Sequence, residues 1–305
     1  LDKGRSYAMF GDYTTRLESD TLALGQYSRS LTGVRAHYET DSFKASTFAA
    51  QTKAKQRVFE IPALGISGPY ALSGLDGLLV NSEKVEIIKR DRNNIGLILS
   101  AQAQTRFTDY EFEALTSSIY FKAPVPSLDA NLNPYSIRVT VEVEEDTGED
   151  YWVGGVQVEQ KLGDKLTVGA AAVQEDDPVD AYQLGSVNAS LKLAENTKII
   201  AEFAQSDRES KDMGKASRAE LTHVQGRLNA RVYYGESDTA FDNPAAPLSS
   251  GRAESGVKLQ VSMNSWGSLN TEAIRTENTS TGGVRHGVKA TVTRSINQYL
   301  SAELG

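Results

Sequence analysis

The sequence predicts an all-β chain of antiparallel strands, and three observations predict it. Apolar residues recur at every second position over long stretches, as in "YWVGGVQVEQKLGDKLTVGAAAVQ" from Tyr151 to Gln174; this is the period of extended strands whose successive side chains point to opposite faces. Short turns alternate with longer polar loops through the second half. One block, residues 55–146, breaks the pattern with its own prolines and denser apolar runs.

The first segment, residues 1–54, supplies the first strands. "SYAMFGDYTT" and "LTGVRAHYET" precede "SFKASTFAAQTK", where Phe43, Ala45, Thr47 and Ala49 alternate with Lys44, Ser46 and Phe48. The last segment, residues 147–305, repeats the figure. Trp152, Gly154, Val156 and Val158 share one face, and after a turn at Leu162–Lys165 the chain returns through Leu166 to Gln174 as a hairpin. Val187, Ala189 and Leu191 oppose Asn188 and Ser190; Ala230, Val232 and Tyr234 oppose Arg231 and Tyr233; Val257 and Leu259 oppose Lys258. About thirteen strands of this kind can be read along the chain.

The apolar face is thin, built from Ala, Gly and Val, and the other face carries charges that would need partners if buried in a sandwich core. Lipid outside and water inside satisfy both faces. No apolar run reaches the roughly 20 residues of a membrane helix, so a closed barrel is the architecture left for spanning a bilayer. Short turns at one end and long loops at the other, here 175–180, 206–217, 236–252 and 277–283, are how such barrels are connected. The expected fold is therefore an antiparallel transmembrane β-barrel, whole or in part. Arg227, Arg231, Lys258, Arg275, Lys289, Glu202 and Glu272 are expected to line its interior, where charges tune ion preference. Tyr151, Trp152, Tyr233, Tyr234, Trp266 and Tyr299 stand near strand ends and are expected at the two membrane interfaces.

The interrupting block holds Pro62, Pro69, Pro124, Pro126 and Pro134, with runs such as "VFEIPALGI", "VEIIKR" and "YSIRVTVEVE". Dense strands bounded by Pro and Gly imply a small β domain with its own core, inserted between two barrel strands as a plug or a cap. Within it "KRDRNN" places Lys89, Arg90, Asp91 and Arg92 at a strand end. Their functional reading is a charged constriction or an anchor between block and barrel wall through Arg forks on carboxylates; the plainer and preferred reading is a charged turn after a strand.

Composition removes several function classes. A net charge of −8 and a pI near 5.1 argue against nucleic-acid binding, which needs a basic footprint. With no cysteine there is no disulfide, thiolate metal site or cysteine nucleophile. His37, His223 and His286 lie far apart, and no serine sits in a Gly-x-Ser-x-Gly elbow. The acidic run "VEVEEDTGEDY" offers oxygen ligands for calcium but lacks EF-hand spacing, and the preferred reading is a solvated acidic linker. No cofactor and no metal are expected, and no enzymatic activity.

"YSRSLTGVRAHYE", "GISGPYALS", "VNSEKVEIIKRDRNN", "TRFTDYEFEALTSSIYFKAPVPSLDANLNP" and "DTAFDNPAAPLSSGRAESGVKLQV" together resemble a family of large bacterial outer-membrane proteins. In these, a β-barrel follows Ig-like or SdrD B-like surface repeats. The resemblance covers nearly the whole chain and implies a bacterial outer-membrane location, with the lipid bilayer and other envelope proteins as partners. It supplies no catalytic residues. Barrels of this kind end on a terminal aromatic residue, which "YLSAELG" lacks, so further strands are expected beyond it. Two functions fit: a porin-like conduit or component of an export or surface-assembly complex, and an anchor or scaffold that binds a partner through its inserted domain or loops.

Overall fold

A computed structural model of the chain describes residues 2–304 apart from 16, 20, 73–77, 80–81, 91, 93–97, 114, 130–131, 145–148, 249, 264–266 and 298–299. The first segment forms β1 (Asp2–Lys3), β2 (Ser6–Thr14), β3 (Leu17–Ser19), β4 (Leu22–Tyr27), β5 (Ser30–Glu39) and β6 (Phe43–Thr52). The inserted block forms β7 (Ala54–Pro62), β8 (Tyr70–Ala71), β9 (Lys84–Arg90), β10 (Ile98–Gln104), β11 (Tyr110–Glu113), β12 (Ser118–Phe121) and β13 (Tyr135–Glu144). Then follow β14 (Tyr151–Leu162), β15 (Leu166–Glu175), β16 (Tyr182–Ala194), β17 (Thr197–Arg208), β18 (Lys211–Gln225), β19 (Leu228–Ser237), β20 (Arg252–Ser262), β21 (Ser268–Asn278), β22 (Val284–Asn297) and β23 (Leu300–Leu304).

Fourteen of these strands make one antiparallel sheet in the order β1-β2-β5-β6-β14 through β23. β6 pairs directly with β14, Val153 opposite Ala50 and Val158 opposite Ala45, so the sheet continues as if residues 54–144 were absent. β7 to β13 therefore lie, in chain order, between two strands that pair with each other. Among the described residues no pairing joins β1 or β2 to β23, so these stand as the two edges.

The sheet exposes apolar side chains on one face and buries both apolar and polar ones on the other. Phe10 is 80% exposed, Trp152 57%, Val187 57% and Val288 80%, while Asn188, Ser190 and Glu202 on the opposite face are buried. Register carries this across the strands. On one face Ala49 meets Gly154, Ala172 meets Gly185, Ala201 meets Ala219, Val232 meets Val257 and Ala273 meets Val288. On the other Gln157 meets Ala171, Asn188 meets Glu202, Arg231 meets Lys258 and Glu272 meets Lys289.

The inserted domain packs a four-stranded sheet, β10-β9-β13-β7, on a three-stranded one, β11-β12-β8. Val85, Ile88, Ile119, Ile137, Val139 and Val141 form its core at zero exposure. The β-branched residues of β13 alternate with polar ones and so turn one whole face inward.

One element differs from expectation. Between β2 and β5 the chain does not make a plain loop: β3 and β4 pair as a separate hairpin that packs on the inner faces of β15 to β18. Two of the expected loops also change. The 206–217 connection is a tight turn, because β17 runs to Arg208 and β18 restarts at Lys211. The long connection after β19, residues 238–251, folds back over the inner face with Phe241 and Ala246 buried.

Candidate functional site: the inner face and its hairpin

The hairpin enters from the rim that carries the long loops and the inserted domain. Thr15 and Arg29 stitch its neck, Thr15 N–H donating to the Arg29 carbonyl at 2.7 Å and Arg29 N–H to Thr15 Oγ1 at 2.7 Å. Leu17, Leu22 and Leu24 are buried against Tyr13, Phe48, Val153, Leu184 and Phe241. Each such leucine contributes roughly 1.5–3 kcal/mol. The Tyr27 ring stacks on Phe48 at 5.7 Å.

The turn of the hairpin is held by polar groups midway down the strands. Glu202 on β17 accepts the backbone N–H groups of Leu24 and Gly25 on Oε1, both at 2.9 Å, and that of Ala23 on Oε2 at 2.8 Å. Arg218 on β18 donates to the same Oε2 at 2.8 Å and to the Thr21 carbonyl at 2.8 Å. Thr21 Oγ1 donates to Asn188, and Asn243 in the long loop donates to the carbonyls of Leu24 and Gln26. Gly25 is required here, since a Cβ would overlap Ser186 on β16.

At the base, Arg29 joins three bodies. Its guanidinium, fully buried, forks onto Glu142 of β13 at 3.1 and 2.6 Å, reaches Glu175 of β15 at 3.0 Å and donates to the Ala54 carbonyl at 2.8 Å. Tyr27 donates to the other Glu175 oxygen at 2.7 Å, and Tyr151 to the Ala54 carbonyl. Burial raises the Glu142 carboxyl above its ordinary value, and Arg29 offsets only part of that. Hairpin, wall and inserted domain are thus tied through one cation.

The inserted domain itself stands at the rim. Its ties to the sheet lie at its neck, through Arg29–Glu142 and Lys55–Asp177 at 3.5 Å, while its core is separate from the cluster inside the sheet. What covers the inner face of the sheet is the hairpin, together with the 238–251 connection.

Below the hairpin the inner face carries polar and charged side chains around two cavities. A cavity of about 570 Å³ lies between its turn and the short-turn rim, walled by Arg35, Lys44, Glu159, Lys161 and Lys198 among others. A second of about 480 Å³ lies along β18 to β22 and includes Arg231, Lys258, Glu272 and Lys289.

The expected interior residues divide. Glu202, Arg231, Lys258, Glu272 and Lys289 share the inner face, with Arg231 bonded to Glu220 at 2.7 Å and Lys258 2.6 Å from Glu272. Arg275 does not: it pairs across Ser255 and His286 on the outer face and bonds Glu277 at 2.6 Å. The reason is parity, since residues three apart on a strand, as Glu272 and Arg275 are, cannot share a face. Arg227 lies in the turn before β19.

Parity corrects the aromatic set in the same way. Trp152 and Tyr234 point outward, 57% and 44% exposed, whereas Tyr151 is buried at the neck and Tyr233 faces inward opposite Glu220. Trp266 and Tyr299 lie outside the described residues. Tyr38, 55% exposed near the opposite rim, was not anticipated.

The anchoring role weighed for the basic strand end is also corrected. Arg90 forks onto Glu60 at 2.6 and 2.7 Å, Lys89 pairs with Asp129 at 3.5 Å, and Arg92 N–H donates to Asn133, all partners within the inserted domain. Asp91 lies outside the described residues. The anchor is Arg29, which carried no sequence signal beyond its place after "LALGQYS". In the acidic run Glu142 is already engaged by Arg29, and no group of metal-ligating side chains forms among the described residues.

No family model matches the chain, and no curated protein matches it. Among solved structures it is similar to the translocation pore of the P pilus usher (PapC), with 12% sequence identity and a TM-score of 0.45, covering 99% of this chain. The chain spans 63% of that pore's length. A likeness of this degree carries no argument about function, which rests on the residues above.

Proposed function

We propose that this chain is the wall of a bacterial outer-membrane β-barrel that acts as a gated polar conduit, alone or within an export or surface-assembly complex, and that it is not an enzyme. The observation that carries the reading is the exposed apolar face of the fourteen-stranded sheet. Val, Ala, Leu and Phe cover its exposed face while Glu202, Asn188 and Arg218 lie within. An apolar surface spanning every long strand exceeds what a soluble monomer exposes, and hydrocarbon is the solvent that suits it.

The hairpin is the natural obstruction of such a conduit, since Leu17, Leu22 and Leu24 close the inner face near the long-loop rim. Planar bilayers test this. The protein should conduct weakly, and a variant with residues 17–27 replaced by a short Gly-Ser link should conduct strongly. Failure of both to conduct would remove the conduit.

A second reading, an anchor that presents the inserted domain to a partner protein, is favoured by that domain's position at the rim and by Phe107 and Leu115, 74% and 95% exposed. Stoichiometric capture of an envelope protein from detergent extracts, lost on Leu115→Asp, supports it. Capture unaffected by that change counts against it.

A further inference from the structure

The cavity beneath the hairpin is unlike the molecule as a whole. The chain carries a net charge of −8, yet Arg35, Lys44, Lys161 and Lys198 wall this one chamber against only Glu39 and Glu159. Glu39 is already engaged, with Arg5 at 3.5 Å, His37 at 3.3 Å and Lys44 at 3.9 Å. Lys161 donates to the Asp41 carbonyl at 3.2 Å, and neither Lys161 nor Lys198 forms an ion pair among the described residues. They reach the chamber from β14 and β17, with the hydroxyls of Thr167 and Ser190 on the strands between.

The arrangement is built by register. Lys44, Glu159 and Gly169 follow one another across β6, β14 and β15, and Lys161, Thr167 and Ser190 across β14, β15 and β16, one step nearer the short-turn rim. Glycine at 169 makes room for the Asn188 amide, which a Cβ there would meet at 2.7 Å. The hairpin's Ser19 and Thr21 form the ceiling. Across the hairpin, the second cavity is more nearly balanced, since Arg231 is bonded to Glu220 and Lys258 to Glu272, with Lys289 beside them. A low-dielectric wall around an excess of one sign of charge focuses the field and concentrates counter-ions of the opposite sign.

We propose that the chamber below the hairpin is a binding site for small solutes carrying two or more anionic groups, phosphate or carboxylate, held chiefly by Lys161 and Lys198. Ammonium groups with no carboxylate partner bind such anions as point charges, and the neighbouring hydroxyls supply donors for the remaining oxygens. The volume, about 570 Å³, admits a solute of that size beside water. The proposal rests on the inner face being an aqueous lumen, and it names the class of solute that lumen takes.

The test is titration calorimetry of the detergent-solubilised protein with inorganic pyrophosphate and, separately, citrate, which distinguishes phosphate from carboxylate preference. Saturable binding is expected, weakening steeply between about 50 and 300 mM salt, and weakening about tenfold or more in a Lys161→Gln/Lys198→Gln double variant. Lys122→Gln, on the inserted domain, should bind as the parent does. Ser190→Glu, which adds a carboxylate to the chamber without removing a lysine, should abolish binding and serves if the double variant does not fold. Absence of saturable binding to the parent protein, or equal binding by the chamber variants, overturns the proposal. Loss of conductance with pyrophosphate binding intact would sink the conduit alone.

Discussion

Glu202→Gln is the perturbation most directly sized by the structure. Each carboxylate oxygen of Glu202 accepts two bonds, Oε1 from Leu24 and Gly25 and Oε2 from Ala23 and Arg218. An amide keeps one oxygen and presents an NH₂ donor to two other donors, so whichever oxygen is replaced, two bonds are lost. Bonds to a charged group contribute about 1.5–3 kcal/mol each, which makes the loss about 3–6 kcal/mol. Opening of the hairpin should then rise roughly a hundredfold to ten-thousandfold. Hydrogen exchange read by mass spectrometry on the segment 17–27 reports that opening as faster exchange of its amides. Exchange in β14 and β15 should stay as in the parent. Acceleration of less than about tenfold in the hairpin would show that packing by Leu17, Leu22 and Leu24, not the clamp, holds it, and would refute the reasoning.

Three further outcomes are expected. Arg29→Met strands Glu142 and Glu175 in a buried site and should cost about 3–5 kcal/mol of stability at the junction, read as protease cutting between inserted domain and sheet. Burial already raises the Glu142 carboxyl, and removing the cation raises it further; a raised acid stabilises the fold in its protonated form, so the defect should shrink as pH falls toward the ordinary carboxylate range and persist at neutral pH. Gly25→Ala should open the hairpin by overlap with Ser186, and Ser186→Gly in the same chain should restore slow exchange. In the inserted domain, burial opposes ionisation of Glu60, but Arg90 and Ser136 outweigh it and bring the carboxyl from 4.5 down to about 2. A depressed acid stabilises above its unfolded value, so that contribution should be full above 4.5 and vanish as pH falls toward 2. Near-ultraviolet dichroism of thermal unfolding should show this loss in the parent and not in Glu60→Gln.

The strand alternation was legible because period-2 patterning acts locally: Val156 and Gln157 announce their faces without reference to any partner. The insertion was legible for the same reason, since prolines and dense runs change the local grammar at 55–146. What escaped was decided by tertiary contact. The stretch from Leu17 to Tyr27 lies between two barrel strands and reads as loop, and only the receiving groups, Glu202, Arg218 and Asn243, some 180 to 220 residues away, make it a hairpin. Arg29 and Glu142 are ordinary charges in sequence until folding brings them to 2.6 Å. The errors over Arg275, Tyr151 and Tyr233 have another origin, because charge and aromaticity were weighed there without counting parity along the strand.

Which solvent meets each face of the large sheet decides whether it spans a membrane. The chain has no cysteine, so single cysteines carrying nitroxide labels can be placed at Val156, Val187 and Val257 on one face and at Gln157, Thr222 and Lys258 on the other, in liposomes. Collision with oxygen, which dissolves in lipid, should dominate at the first three, and collision with a water-soluble nickel chelate at the last three. Equal access of the chelate to Val156, Val187 and Val257 would contradict the membrane-spanning sheet.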